Sequence, residues 1–357
     1  MEKIKVGVVG FAQMHIIGMV AGFRKMEEFE FIGISDLPTD LEPVSDETST
    51  RRGIRANLLQ QLPGIPVYEN YKDLLAQKPD LCLVATENCH HANVVADVLS
   101  HGIDAILEKP MCFTNGEAKK MVVASQMHDA LFMVNWPTTW QTGMRTLHRL
   151  MSEGLVGKPI RFHHSNNESL GPFSYGENMT NEERLHEWWY HRDLGGGAPM
   201  DYLGYGAILS RWFLGKKPIG AFAETRNFTS QYADVEDHAT MILRYDDCQA
   251  LIEGTWATFS AGVNLGPIIY GEKGTLVWDR QADKILLFTE RHQKTPTAVY
   301  DPDPLPEGRE TLAKEYLYAK ATGDMHPTLS GPMNMEAVAS LDAAFRSIAS
   351  GKMEIVL

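Results

Sequence analysis

Cysteine is scarce: the 357 residues hold four, Cys82, Cys89, Cys112 and Cys248, with no CxxC pair among them. That excludes a disulfide framework and a paired-cysteine zinc site, and reads as free thiols in a reducing compartment. Basic residues are in deficit, 33 Lys and Arg against 46 Asp and Glu, for a formal net charge of −13. This excludes a nucleic-acid backbone or an anionic membrane as the main partner. No apolar run approaches the ~18 residues of a membrane span. The N-terminal MEKIKVGVVG lacks the basic-then-apolar pattern of a signal peptide, so a cytoplasmic location is expected. The 13 histidines form no HExxH, and there is no GxSxG; neither a catalytic metal nor a serine nucleophile is expected.

What is present begins as alternation. Short apolar runs at 4–10, 29–36, 65–68, 80–86, 104–110 and 131–135 are nearly continuous in Val, Ile and Leu, as strands covered on both faces are. Helical stretches separate them, such as ANVVADVLSHG, closed by Gly102. This predicts an α/β fold, with a doubly wound parallel sheet over residues 1–135. After residue 136 the runs lengthen and alternate apolar with polar, at 160–166, 221–228, 238–245, 249–259, 275–279 and 284–289. Helical segments lie near 199–215 and 334–351. Residues 136–357 are therefore expected to form an α+β domain on a large, mainly antiparallel open sheet.

Four features of the first domain point to a dinucleotide. The loop Gly10-Phe11-Ala12-Gln13-Met14-His15 follows the first strand. Gly10 supplies the tight turn and Ala12 leaves room for pyrophosphate, but His15 stands where a third glycine would pack the helix closely. Backbone N–H groups at the helix start remain for phosphate. Asp36 closes the second strand, where a carboxylate accepts from both ribose hydroxyls and repels a 2′-phosphate. No arginine follows it directly, since Arg51 and Arg52 lie beyond the acidic loop 37–50, so NAD is expected over NADP. ATENCHH after the fourth strand offers Thr86, Glu87, Asn88 and His91, with Asn88 readable equally as a turn or capping residue. ILEKPM places Glu108 and Lys109 at another strand's carboxyl end, with Pro110 fixing the chain beyond.

The series GVVGFAQMH, SD, ATENCHH, EKP, GGGAPMDYLGY and AAFRSIASGK resembles the Gfo/Idh/MocA oxidoreductases over residues 4 to about 351. The resemblance implies a Rossmann domain followed by an open sheet used for substrate binding and oligomerisation, hence a homodimer or homotetramer. It implies NAD(P)-dependent oxidation of a secondary hydroxyl on a sugar, glycoside or cyclitol. Carried over by motif, the EKP lysine is Lys109 and the aspartate after the glycines is Asp201. Where many members carry histidine four residues on, this chain has Tyr205, as some members do.

Asp201 and Tyr205 at i and i+4 share one helix face. A tyrosine of pKa about 10 is a poor base at neutral pH, and a neighbouring Lys109 ammonium would lower it. The expected general base is thus a coupled Lys109–Tyr205 pair, with Asp201 orienting Lys109 or holding its charge, and either member taking the proton. Trp136, Asn166, Trp189, His191 and Arg192 are substrate-binding candidates, although Trp188 and Trp189 read equally as core. The alternative the resemblance permits is retained and recycled NAD, a sugar being oxidised transiently with glycoside cleavage or transhydrogenation as the outcome, and a non-catalytic ligand-sensing relative is a third reading. His15 is expected to pack near the pyrophosphate or to reach toward the crevice.

Overall fold

The structure is a computed structural model and describes residues 2–167, 171–173, 179–259, 264–292 and 294–357. The first domain carries β1 (Ile4–Val9), α1 (His15–Phe23), β2 (Phe29–Ser35), α2 (Arg51–Gln61), β3 (Val67–Tyr68), α3 (Tyr71–Leu75), β4 (Leu81–Val84), α4 (His91–Ser100), β5 (Asp104–Glu108), α5 (Asn115–His128) and β6 (Phe132–Asn135). The sheet order is β3-β2-β1-β4-β5-β6, every pair parallel. Strands β4, β5 and β6 are buried at every position, the burial that their unbroken Val/Ile/Leu runs predict. The order reverses between β1 and β4, and there the crevice for a ligand opens at the strands' carboxyl ends.

The second domain contributes α6 (Thr142–Ser152), β7 (Pro159–Asn167), α7 (Asn181–Arg184), α8 (Ala198–Leu214), β8 (Gly220–Arg226), β9 (His238–Arg244), β10 (Gln249–Thr255), β11 (Ile268–Gly271), β12 (Thr275–Asp279), β13 (Lys284–Phe288), β14 (Ala298–Tyr300), α9 (Leu312–Thr322), α10 (Gly331–Ser350) and β15 (Glu354–Ile355). Its sheet order is β14-β13-β12-β11-β7-β10-β9-β8-β15. All neighbours are antiparallel except β7 and β10. Burial alternates along β8, β9 and β12, the period-two signature of a sheet with one covered face. Helices α8 and α10 pack on each other and against this sheet. One apolar core runs from the α4–α5 side of the first sheet into the covered face of the second.

Helix α9 behaves differently from its neighbours in sequence. Its Leu312, Ala313, Tyr316 and Ala319 are buried with Ile16, Val20, Phe23 and Leu81 of the first domain. Tyr316 donates its hydroxyl to Asp104 at the start of β5, at 2.8 Å. The chain thus returns to the nucleotide-type domain late, over a stretch for which the sequence pattern predicts no element.

Candidate active site

The loop after β1 has the backbone a dinucleotide cradle needs. Gly10 sits at φ +97°, and a Cβ there would lie 2.5 Å from the Thr86 nitrogen, so only glycine fits. Ala12 is buried and its N–H bonds to the Ala85 carbonyl at 2.9 Å. The N–H groups of Gln13 and Met14 have no protein acceptor among the described residues. They point a pair of donors at the start of α1, the arrangement that holds phosphate oxygens. The loop therefore fits a pyrophosphate despite its missing third glycine.

His15 occupies that third position and is tied, not idle. Its Nδ1 lies 3.0 Å from Glu108 Oε2. Glu108 is fully buried and also accepts from Asn135 Nδ2 at 2.5 Å and from the Lys109 N–H at 3.2 Å. Burial alone would raise the Glu108 carboxyl; His15, Asn135 and Lys109 outweigh it and hold it below its usual value. The start of α1 is thereby pinned to the ends of β5 and β6.

Lys109, one residue on, serves a second cluster. Its Nζ donates to Asp201 Oδ1 at 2.6 Å, with both side chains buried. The Lys109–Pro110 peptide is cis. Burial pulls the Lys109 ammonium down, but Asp201, Tyr205 and Glu108 more than reverse this and leave it above its usual value. Asp201 lies in the first turn of α8, behind Pro199 and after Gly197 at φ +98°. Its Oδ2 accepts from the Trp256 indole at 3.3 Å. Tyr205 lies one turn along, its ring centroid 5.0 Å from Lys109 Nζ. The predicted triad is one constellation, with lysine over the tyrosine ring face.

A cavity of about 210 Å³ opens at this point. Gln13, Met14, His15, Lys109, Pro137, Thr138 and Gln141 line it from one side, and Asn166, Gly171, Pro172, Trp189, Asp201, Tyr202, Tyr205 and Arg280 from the other. Of the substrate candidates, Asn166 and Trp189 reach it. Trp136 does not: it is buried, its indole donates to Asn334 at 2.6 Å, and its ring meets Tyr205 edge-on. His191 is turned back onto the Leu185 carbonyl at 2.7 Å. Arg192 points outward to the Asp234 carbonyl and Glu236.

Several cofactor candidates hold the loops rather than face the crevice. His91 is fully buried between the Pro110 and Thr86 carbonyls, and burial pulls it below its usual value against those hydrogen bonds. Asn88 accepts from Gln13 and donates to the Gly195 carbonyl, joining the ATENCHH loop to the GGG segment. Thr86 is buried and bonds back to the Glu87 carbonyl. Phe11 is core, and its N–H donates to Asp36 at 3.1 Å.

No arginine directly follows Asp36 in sequence, but the fold brings one to it. The acidic loop folds back, and Arg51 at the start of α2 donates to Asp36 through Nε at 2.7 Å and Nη2 at 2.8 Å. The same guanidinium pairs with buried Glu87. Its own N–H meets Glu187 of the second domain at 3.3 Å. Burial pushes the Glu187 carboxyl up to about 7. Trp188, the next residue, donates its indole N–H to the Ala12 carbonyl at 2.7 Å, so the second domain grips the glycine loop directly. Arg51 lies 15 residues beyond Asp36, outside the spacing a fingerprint search inspects. Among the lining residues the motifs did not name, Tyr202 has a local signal, being next to Asp201, and Pro137 and Thr138 follow Trp136; Arg280 has none in a single sequence.

Comparison with known proteins bears on the two domains. Residues 4–136 match the model of an oxidoreductase family with an NAD-binding Rossmann fold, and residues 144–277 match the Gfo/Idh/MocA C-terminal domain. A D-xylose 1-dehydrogenase [NADP(+)] of Haloarcula marismortui is 27% identical over 48% of this chain and 46% of its own length. An inositol 2-dehydrogenase of Burkholderia multivorans is 25% identical over 48% of each chain. The chain thus aligns with about half the length of these curated relatives. An Agrobacterium radiobacter oxidoreductase solved with NAD+, L-tartaric acid and magnesium superposes with a TM-score of 0.75 over 99% of both chains at 17% identity, a likeness of fold. By its two matched domains, this chain belongs to the Gfo/Idh/MocA family of NAD-binding oxidoreductases.

Proposed function

We propose that the protein oxidises, reversibly, a secondary hydroxyl of a sugar, glycoside or cyclitol, using NAD. The observation that carries this reading is the buried Lys109–Asp201 pair at 2.6 Å beside Tyr205, in one cavity with the glycine loop. Bound NAD supplies the hydride acceptor. The chain's own residues handle the proton. With Asp201 holding it charged, Lys109 is a fixed ammonium rather than a free base. Tyr205, reacting as its phenolate, takes the hydroxyl proton and becomes the phenol, and the ammonium stabilises the charge that develops on the substrate oxygen. Trp256 fixes the second oxygen of Asp201, so the carboxylate cannot swing away from Lys109. Asn166, Trp189 and Tyr202 offer the amide, flat face and neighbouring ring that orient a polyol. The same two relatives, named as xylose and inositol dehydrogenases, favour this substrate class. The uncovered face of the second sheet is where copies would associate as a dimer or tetramer, which sedimentation measures.

The test is NADH formation on myo-inositol, D-xylose and methyl β-D-glucoside, with Tyr205→Phe and Lys109→Met beside the wild type. Each variant is expected to lose ~10²–10⁴ in kcat, the usual worth of general acid–base catalysis. A Tyr205→Phe enzyme within about threefold of wild type would remove tyrosine from the reaction. NAD released on denaturing the purified protein would favour retention of the cofactor over exchange.

A further inference from the structure

Neighbouring residues 108 and 109 feed two separate clusters that open into one cavity, and only the Lys109 cluster has a use in hydroxyl oxidation. In the other, a buried carboxylate holds one ring nitrogen of a histidine at 3.0 Å. Glu108 has no exposed surface, whereas the His15 side chain is 32% exposed and lines the cavity. Hydrogen bonding to an ionised carboxylate makes Nδ1 the donor and fixes the tautomer. That leaves Nε2 as a lone-pair base, and Nε2 has no protein partner among the described residues. A tie between α1 and β5 would need only a neutral amide pair. A carboxylate–imidazole dyad with its outer nitrogen free is the arrangement of a general base.

We propose that Glu108–His15 is a second acid–base centre, which removes a proton from the carbon next to a ketone held in this cavity. The proposal rests on the reading of the cavity as a sugar-alcohol and ketone site. In the step, the C–H bond breaks and an N–H bond forms at His15 Nε2. The electron pair left on carbon moves into the C–C bond, and the carbonyl π pair moves to oxygen, giving an enolate. The Lys109 ammonium lines the same cavity and stabilises that oxygen. Return of the proton restores the ketone, so no further reactant is consumed. A base together with a fixed cation is what proton abstraction beside a carbonyl requires. The Lys109–Tyr205 pair alone serves the hydroxyl and leaves the carbon acid without a base. Oxidised product held here would therefore exchange, and be set up to epimerise, at the neighbouring carbon.

The experiment incubates the full-length protein with myo-2-inosose and with methyl 3-keto-β-D-glucoside in D2O, and reads deuterium at the carbons flanking the carbonyl by NMR. The wild type is expected to label at least one ketone well above the buffer rate. His15→Asn, whose amide still reaches Glu108, is expected to lose ~10²–10⁴ of that rate. Glu108→Gln, which keeps the packing and removes the charge, provides a second variant should the first fold poorly, and is expected to lose at least about tenfold. Absence of label in both ketones with wild type, or label undiminished in His15→Asn, overturns the proposal. Reduction of the same ketones by NADH is followed in parallel. Its absence counts against the dehydrogenase reading, independently of where the label goes.

Discussion

Replacing Asp201 by Asn removes the strongest of the influences that keep Lys109 charged, and the consequence can be worked out from the site. Lys109 is 3% and Asp201 4% exposed, so the ammonium cannot turn to water for compensation. Breaking one partner of a buried ion pair costs ~3–5 kcal/mol. At 1.36 kcal/mol per tenfold, the ratio of free amine to ammonium at fixed pH rises by ~10² to several thousand. The direction follows from the competing influences: burial pulls Lys109 down, and without Asp201 only Tyr205 and Glu108 oppose it. The assay is competitive acetylation at pH 8 with acetic anhydride. Lys109 is read by mass spectrometry against exposed Lys119 on α5. The Lys109/Lys119 ratio is expected to rise at least ~10²-fold in the variant, since only the neutral amine reacts. A ratio within about threefold of wild type would refute the claim that Asp201 holds the charge. In the wild type the folded Lys109 lies above its ordinary 10.5. The pair's contribution to stability is therefore fully present below that pH and is lost only as pH rises through the folded value.

Two further predictions concern the loops. Gly10→Ala forces an L-residue to φ +97° and a Cβ to within 2.5 Å of Thr86; ~1–2 kcal/mol of backbone strain plus the clash should lower Tm and weaken NAD binding, and unchanged fluorescence quenching by NAD would contradict it. Glu187 is held up to about 7 from 4.5, so the folded state keeps its proton to higher pH than the unfolded chain. Stability should fall by about 3 kcal/mol as pH rises from 4.5 through 7. Glu187→Gln should flatten the Tm–pH curve across that window, and an unaltered slope would assign the effect elsewhere.

Much of this was legible in the sequence because it depends on short spacings. The parallel strands are continuous apolar runs, and the second sheet's strands alternate. Asp201 and Tyr205 are one helical turn apart. Pro199 and the three glycines mark where that helix begins. What escaped notice comes from returns of the chain. Arg51 reaches Asp36 only because residues 37–50 double back, and Glu187 joins them from the second domain. Trp136, His191 and Arg192 looked like sugar ligands by type and proximity. Their polar groups were instead taken by Asn334, the Leu185 carbonyl, and the Asp234–Glu236 segment. Residue type announces capacity, whereas partners decide its use. The His15 position shows the converse: a residue that read as a flaw in a glycine fingerprint has a buried carboxylate waiting for it 93 positions later.

Helix α9 sets an order of events during synthesis. The first sheet is complete at residue 135, yet one of its faces is closed by Tyr316 and its neighbours, and β6 gains a further bridge from Met133 to Ser330. A ribosome that has released the whole cofactor half has still to make most of the chain before that half can shut. Until then Val20 and Phe23 of α1 lack the cover that α9 gives them. A fragment ending at residue 135 should bind a hydrophobic dye strongly and lose that binding when α9 is supplied as a fused helix. The nucleotide-binding half comes first in the chain and is finished nearly last.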